Sequence, residues 1–112
     1  MASVNKLLLW SGALSGDTVG TSYSLGLLDT DFSGYLDLTA LSATNVVVKI
    51  QRSPDNLIWF DWITFSTATA TGSQLVDAST NAMSYVRANF DFTGGAQTGT
   101  ATVSLHFDKK SK

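Results

Sequence analysis

The sequence has 112 residues, the length of one ordinary domain, and 44% of them are hydrophobic while 14% are charged. It has no cysteine and a single histidine, His106, which excludes disulfides, thiolate chemistry and any metal site built from several histidines. The formal net charge of −2 includes no basic excess, so binding to nucleic acid is not expected. No apolar run approaches the about 20 residues of a membrane helix, so membrane insertion is not expected either.

The composition favours strands and turns over helices. All nine acidic residues are Asp, and Ser and Thr number 14 each. Asp forms helices poorly and suits turns, whereas Thr, Val and aromatic residues favour strands. The composition therefore predicts an all-β domain.

The N-terminal part begins with a short apolar strand, predicted over residues 5–10. Residues 6–16 faintly resemble a signal peptide, but Ser11 and Gly12 interrupt the apolar run after four residues, which favours a strand. The next predicted elements, in chain order, are a turn-rich segment 11–20, an alternating strand 21–28, a polar turn 29–34 and an alternating strand 35–41.

The central part predicts a β-hairpin over residues 46–65. Its turn, at residues 53–56, has Pro at the second position and Asp and Asn at the third and fourth. The returning strand, 57–65, carries large apolar side chains on both faces. Because Trp59 and Trp62 point in opposite directions, we expect one of them to meet something other than the main core.

The C-terminal part again alternates between loops and strands. The predicted elements are a loop 66–72, a short or edge strand 73–77, a loop 78–82, a strand 83–93, a glycine-rich hairpin loop 93–99, a strand 100–107 and a charged tail 108–112.

Seven to eight short strands with no helical period predict a single antiparallel β-sandwich, jelly-roll-like or immunoglobulin-like. The domain would span residues 1–112, with short tails at 1–5 and 108–112. The inward positions of the alternating strands predict the core: Leu8, Leu25, Leu27, Leu36, Leu38, Val46, Val48, Ile50, Phe60, Trp62, Val86, Ala88, Phe90, Val103, Leu105 and Phe107.

Catalytic motifs are weak in this sequence. His106 lies on the outward face of the last predicted strand, and there is no Gly-x-Ser-x-Gly motif of a nucleophile elbow. Asp residues that lie close together in the sequence are explained by side-chain hydrogen bonds within turns. We therefore predict that the protein is not an enzyme and needs no cofactor.

One segment partly matches the calcium-binding loop of an EF-hand. Oxygen-bearing side chains occur at its ligand positions, on Asp29, Asp31, Ser33 and Asp37. Gly34 occupies the sixth position, but Ala40 stands where the bidentate Glu is needed, and the flanking helices are missing. These four residues are a weak candidate for calcium, and an Asp-rich β-turn is the alternative.

Three segments together resemble a known class of proteins. They are VVVKIQRSPDNLIWFD at residues 46–61, SYVRANFDF at 84–92 and ATVSLHF at 101–107. This pattern resembles small β-sandwich virion proteins of tailed bacteriophages, among them capsid decoration (cement) proteins and tail accessory proteins. Similar hairpins with a later Tyr-Val-Arg strand also occur in discoidin-like domains that bind carbohydrates or cell surfaces.

The resemblance implies a non-enzymatic decoration protein, made in the host cytoplasm and bound to the major capsid protein on the virion surface, often as a homotrimer. We predict its interface from the N-terminal strand, the basic tail and an exposed aromatic residue: Leu7, Leu9, Trp10, Trp59, Lys109 and Lys110. The alternative is a tail, head-fibre or free carbohydrate-binding module that recognises host glycans through Trp59 or Tyr35.

Overall fold

The computed structural model describes residues 4–25, 30–78 and 82–109, and these residues form nine strands and no helix. The strands are β1 (Val4–Ser15), β2 (Thr18–Val19), β3 (Tyr23–Ser24), β4 (Thr30–Ser42), β5 (Asn45–Ser53), β6 (Phe60–Thr64), β7 (Gly72–Asp77), β8 (Tyr85–Thr93) and β9 (Thr98–Lys109). Within these ranges, nothing has the helical length and apolarity that a membrane-spanning helix requires.

The strands form two packed antiparallel sheets, which confirms the predicted all-β sandwich. Sheet I has the order β1-β9-β4-β7. Sheet II has the order β2-β8-β5-β6, and β3 pairs with β8 further along the edge that β2 occupies.

The connections identify the architecture as a jelly roll. The chain changes sheet between successive strands, except at the β5–β6 hairpin and between β2 and β3, which pair with the same strand. If β2 and β3 are counted as one interrupted strand, this is the eight-stranded order of a jelly roll. An immunoglobulin sandwich instead keeps more of its consecutive strands in the same sheet.

The core lies between the two sheets and is built from the alternating positions of the long strands. Most of the predicted core residues are buried there: Leu36, Leu38, Val46, Val48, Ile50, Trp62, Val86, Ala88, Phe90, Val103 and Leu105. Edge-to-face aromatic pairs join the sheets, with ring centroids 5.4 Å apart for Phe32 and Trp62 and 5.5 Å apart for Trp10 and Phe90.

Two predicted core residues are exposed, one beside a β-bulge and one at the end of an edge strand. In β1 the register shifts between Leu8 and Trp10, so the extra residue Leu9 turns inward and is 2% exposed while Leu8 is 45% exposed. In β6, Trp62 is buried as predicted, but Phe60 pairs with Arg52 at the first position of this edge strand and is 47% exposed. The prediction that Leu8 and Phe60 belong to the core was therefore wrong.

Three predicted loops are also wrong. Strand β1 continues to Ser15, so most of the segment 11–20 is not a turn. Strand β4 begins at Thr30, so residues 30–34 are extended. The glycine-rich segment 93–99 is not a hairpin loop, because it crosses from β8 in sheet II to β9 in sheet I.

The remaining predictions are confirmed in part. The hairpin over 46–65 is present as β5 and β6, and residues 73–77 lie in the edge strand β7. Leu25 and Phe107 are half-buried against the core, whereas Leu27 lies outside the described residues. The N-terminal strand pairs from Val4 onward, and the backbone partner of Val4 is Asp108.

Candidate binding surfaces

The loop between β5 and β6 is held rigidly by two side chains. The buried Ser53 Oγ accepts hydrogen bonds from the backbone N–H groups of Asp55 (3.3 Å) and Asn56 (2.9 Å), and it donates to Asp55 Oδ1 (3.0 Å). Asp55 Oδ1 in turn accepts from the N–H groups of Leu57 (2.9 Å) and Ile58 (3.0 Å). These backbone hydrogen bonds lower the pKa of the Asp55 carboxyl below its ordinary value.

This loop presents apolar side chains to solvent. Leu57 is 81% exposed, Ile58 is 60% exposed and Phe60 follows at the start of β6. A single exposed apolar residue is ordinary, but three exposed apolar residues within four positions are typical of interaction sites. We call Leu57, Ile58 and Phe60 the loop patch.

Trp59, between these residues, lies over the outer face of sheet II. The guanidinium carbon of Arg87 is 4.2 Å from the centroid of its ring, a cation–π contact. Arg87 Nε donates to Gln51 Oε1 (2.9 Å), and Gln51 Nε2 donates to Asp61 Oδ1 (3.1 Å). Lys49 Nζ completes the row with an ion pair to Asp61 Oδ2 at 2.7 Å. We call this row the tryptophan platform.

Two charged groups of the tryptophan platform have shifted pKa values. The hydrogen bond from Lys49, followed by that from Gln51, lowers the pKa of Asp61. Burial lowers the pKa of Arg87, but a guanidinium remains protonated at neutral pH. The platform therefore offers an indole ring beside fixed donors and acceptors.

The outer face of sheet I is ordered by strand register into rows. One row contains Lys6, His106, Ser33 and Asp77, the next contains Leu8, Ser104, Tyr35 and Leu75, and a third contains Ser11, Thr102, Asp37 and Ser73. Tyr35 meets His106 edge-on, with ring centroids 5.8 Å apart. Leu75, on the edge strand β7, is 66% exposed.

Three hydroxyl groups on this face are paired with neighbouring side chains. Ser33 Oγ donates to Asp77 Oδ1 at 2.7 Å. Ser73 Oγ donates to Asp37 Oδ1 at 3.1 Å and lies 3.4 Å from the Tyr35 hydroxyl, which donates to it. The face is thus polar in composition but largely satisfied internally.

The Ser104–His106 pair does not have the accessibility of a catalytic pair. Ser104 Oγ lies 2.9 Å from His106 Nε2, but Ser104 is only 2% exposed. A nucleophile must reach its substrate, and this hydroxyl lies beneath its neighbours on the sheet. The expectation that the protein is not an enzyme stays a prediction.

The three calcium candidates that the structure describes lie along one strand. Ser33 and Asp37 lie four residues apart on the continuous strand β4, which separates them by about 13 Å along the strand. Asp31 occupies the same strand, and Asp29 lies outside the described residues. Among the residues that the structure describes, no group of three or more His or Asp side chains is arranged to hold a metal ion.

The predicted interface residues that the structure describes lie at different places in the fold. Leu9 belongs to the core, and Leu7 and Trp10 are half-buried against it. Trp59 is on the outer face of sheet II. Lys109 ends β9 and pairs through its backbone with Thr30, and Lys110 lies outside the described residues.

The sequence prediction missed Leu57, Ile58 and Leu75 as surface residues. Leu57 and Ile58 belong to a run of consecutive apolar residues directly after the turn at 53–56. A strand with one buried face buries only alternate residues, so this run was a sign that some of them are exposed. Leu75 carried no such signal, because its alternation is that of any short strand.

No protein-family model and no curated protein matches this sequence. Among solved structures, the fold is similar to that of PirA, with a TM-score of 0.54 and 14% identity over 89% of this chain and 90% of that one. It is also similar to chitosan-binding module 1 of a chitosanase/glucanase from Paenibacillus sp. IK-5, with a TM-score of 0.54 and 14% identity over 89% of this chain and 74% of that one. At this identity the shared property is the β-rich fold.

Proposed function

We propose that this chain is a non-catalytic bacteriophage virion protein that decorates the assembled head shell and docks on it through the loop patch. The observation that carries the proposal is the exposure of Leu57 and Ile58 on a loop fixed by Ser53 and Asp55, with the exposed Phe60 at the start of β6. The resemblance of residues 46–61, 84–92 and 101–107 to decoration proteins supports it.

The chemistry of the loop patch suits a protein partner. Aliphatic side chains fill apolar pockets, and complete burial of each contributes about 1.5–3 kcal/mol. Since the loop is already ordered by its own hydrogen bonds, little further conformational entropy is lost on docking. A jelly roll is compatible with this role but does not specify it, because viral capsid proteins and lectins share the architecture.

The proposed partner is the major capsid protein, met on the capsid surface after synthesis in the host cytoplasm. A protein that binds only the assembled shell stabilises that shell by mass action. Occupation of the repeated sites would therefore raise the heat and osmotic resistance of the particle.

Quantitative mass spectrometry of purified particles tests the location. Roughly one chain for every one to three capsid subunits, as a repeated shell site requires, supports decoration. A few copies per particle would assign the chain to the tail or a fibre, and absence from particles would contradict the virion proposal.

Variants of the loop patch test the docking surface. We expect Leu57→Asp with Ile58→Asp to abolish rebinding to particles stripped of this chain, because a charge cannot enter an apolar pocket unpaired. Val19→Asp is the matched control, since Val19 is an exposed apolar residue at the edge of sheet II. Equal rebinding of both variants would show that docking uses another surface.

A second candidate function is glycan recognition at the tryptophan platform. An indole ring beside Gln51, Asp61 and Arg87 matches the needs of a sugar, whose faces stack on aromatic rings and whose hydroxyls need donors and acceptors. The chitosan-binding module with a similar fold supports this candidate.

Calorimetric titration with chitosan oligosaccharides and a panel of host glycans tests this candidate. We expect Trp59→Ala to abolish saturable binding and Tyr35→Ala, on the opposite sheet, to preserve it. Absence of heat for every glycan would reject glycan recognition and leave the docking function unaffected.

A further inference from the structure

The outer face of sheet I exposes apolar side chains at both edges. Leu8 on β1 and Leu75 on β7 are exposed, and they belong to one row with Ser104 and Tyr35 between them. The bulge at Leu9 is what directs Leu8 outward. The two exposed leucines give this face apolar surface at both edges, which is typical of a face that contacts another protein.

Opposite charges occupy the same two edges. Lys6 on β1 and Asp77 on β7 are both exposed, and they are the ends of the row next to that of Leu8 and Leu75. The face thus has a basic edge and an acidic edge, and each edge also has one leucine.

These two rows are self-complementary about a two-fold axis. If the axis runs parallel to the strands, between β9 and β4, then β1 of one copy faces β7 of the other. Leu8 then opposes Leu75, and Lys6 opposes Asp77, and each pair occurs twice. Tyr35 opposes Ser104 at the centre. An axis at right angles to the strands would instead place Leu8 against itself and Lys6 against Ser11.

We propose that two copies of this chain pair face to face through the outer surface of sheet I in this orientation. Four strands span about 19 Å and 12 residues span about 40 Å, and with the shorter β7 the face covers roughly 600–700 Å². This approaches the approximately 800 Å² that each partner contributes to a standard interface.

The internal hydrogen bonds of the face make its burial feasible. Ser33, Ser73 and Tyr35 already donate to Asp77, Asp37 and Ser73, so few hydroxyls lose water without a replacement. Two such sheets pack with their strands within about 30° of parallel, and the long side chain of Lys6 spans the offset that this angle creates at the edge. The loop patch and the tryptophan platform are not part of this face.

Analytical ultracentrifugation over a range of concentrations tests the pairing. The chain has a mass of 11.9 kDa, and we expect twice that mass at tens of micromolar and above. Leu75→Asp should give a monomer at every concentration. Val19→Asp, which makes the same kind of change at an exposed apolar position in β2, should remain paired. A monomer at every concentration, or the homotrimer that the resemblance to decoration proteins implies, would overturn the proposal.

Charge reversal tests the orientation. Lys6→Asp or Asp77→Lys alone puts like charges opposite each other twice per pair, and we expect the dissociation constant to rise about tenfold in low salt. The double variant restores attraction and should recover most of the loss. If the double variant dissociates as readily as the single ones, the two residues do not oppose each other and the proposed register is wrong.

Discussion

The guanidinium of Arg87 lies over the ring of Trp59, with its central carbon 4.2 Å from the ring centroid, and this contact joins β8 to the loop that leads into β6. The indole is thereby held on the outer face of sheet II although it has no place in the core. Trp59 also connects the two candidate surfaces. It belongs to the tryptophan platform, and it lies between Ile58 and Phe60 of the loop patch in the sequence.

The first prediction concerns this contact. Arg87→Ala removes a cation–π interaction and the hydrogen bond to Gln51, and we expect the free energy of unfolding to fall by about 1–2 kcal/mol. Arg87→Lys keeps the charge but loses the planar group, so it should recover only part of the loss. Urea denaturation measures both, and equal stability of Arg87→Ala and wild type would show that the contact contributes nothing in solution.

The second prediction concerns Gly34, which lies in β4 and faces the core. A Cβ atom there would lie 3.0 Å from side-chain atoms of Ile50, Ile63 and Phe65. We expect Gly34→Ala to lower the free energy of unfolding by about 1–3 kcal/mol through overpacking. Gly20→Ala is the control, because its nearest neighbour would be 3.4 Å away, and thermal melts that rank the two variants in the reverse order would contradict this account.

The third prediction uses the adjacent residues Leu8 and Leu9. Leu9→Ala creates a cavity between the sheets, and we expect it to cost about 2–5 kcal/mol of stability. Leu8→Ala should change stability by less than about 0.5 kcal/mol at concentrations where the protein is monomeric. Chemical denaturation of the two variants separates inward from outward positions, and a larger effect at Leu8 would place the bulge elsewhere.

The fourth prediction is a loss of stability in acid. Asp55 and Asp61 both have a pKa below the ordinary value of 3.8 in the folded state. Their contribution is complete above the pKa of the unfolded chain, and it is lost as the pH falls below 3.8 towards the folded values. Thermal melts between pH 7 and pH 2.5 should therefore show Tm falling in the acid range.

The double variant Asp55→Asn with Asp61→Asn is the comparison for this acid loss. It should have a lower Tm at pH 7, because the carboxylates are replaced by weaker acceptors, and a shallower decline below pH 4. If its decline parallels that of the wild type, other carboxyl groups account for the acid sensitivity.

Much of the fold was predictable from local patterns. The alternation of Val46, Val48 and Ile50 requires a strand with one buried face, and the turn at 53–56 requires the chain to reverse. The same reasoning placed Val86, Phe90, Val103 and Leu105 in the core. These positions were predicted from the two-residue period of a strand, which can be recognised within a short stretch of sequence.

The bulges and the sheet assignment could not be predicted in the same way. The bulge at Leu9 reverses the inward and outward alternation of β1 on one side of it. Nothing in the sequence around Leu9 indicates that the register with β9 shifts there. Similarly, Gly94 and Gly95 have positive φ angles of 67° and 65°, which suit a hairpin and a crossing between sheets equally well. Only the pairing of β8 and β9 with other strands distinguishes the two.

Composition and alternation act over a few residues, so they were enough to predict an all-β domain without cysteine chemistry, a central hairpin and most of a buried core. The jelly-roll connections, the extension of residues 30–37 along one strand, and the burial of Leu9 while Leu57 and Leu75 face solvent are visible only in the folded chain. These outcomes depend on which strands pair and in which register, and register is settled by contacts between residues far apart in the chain.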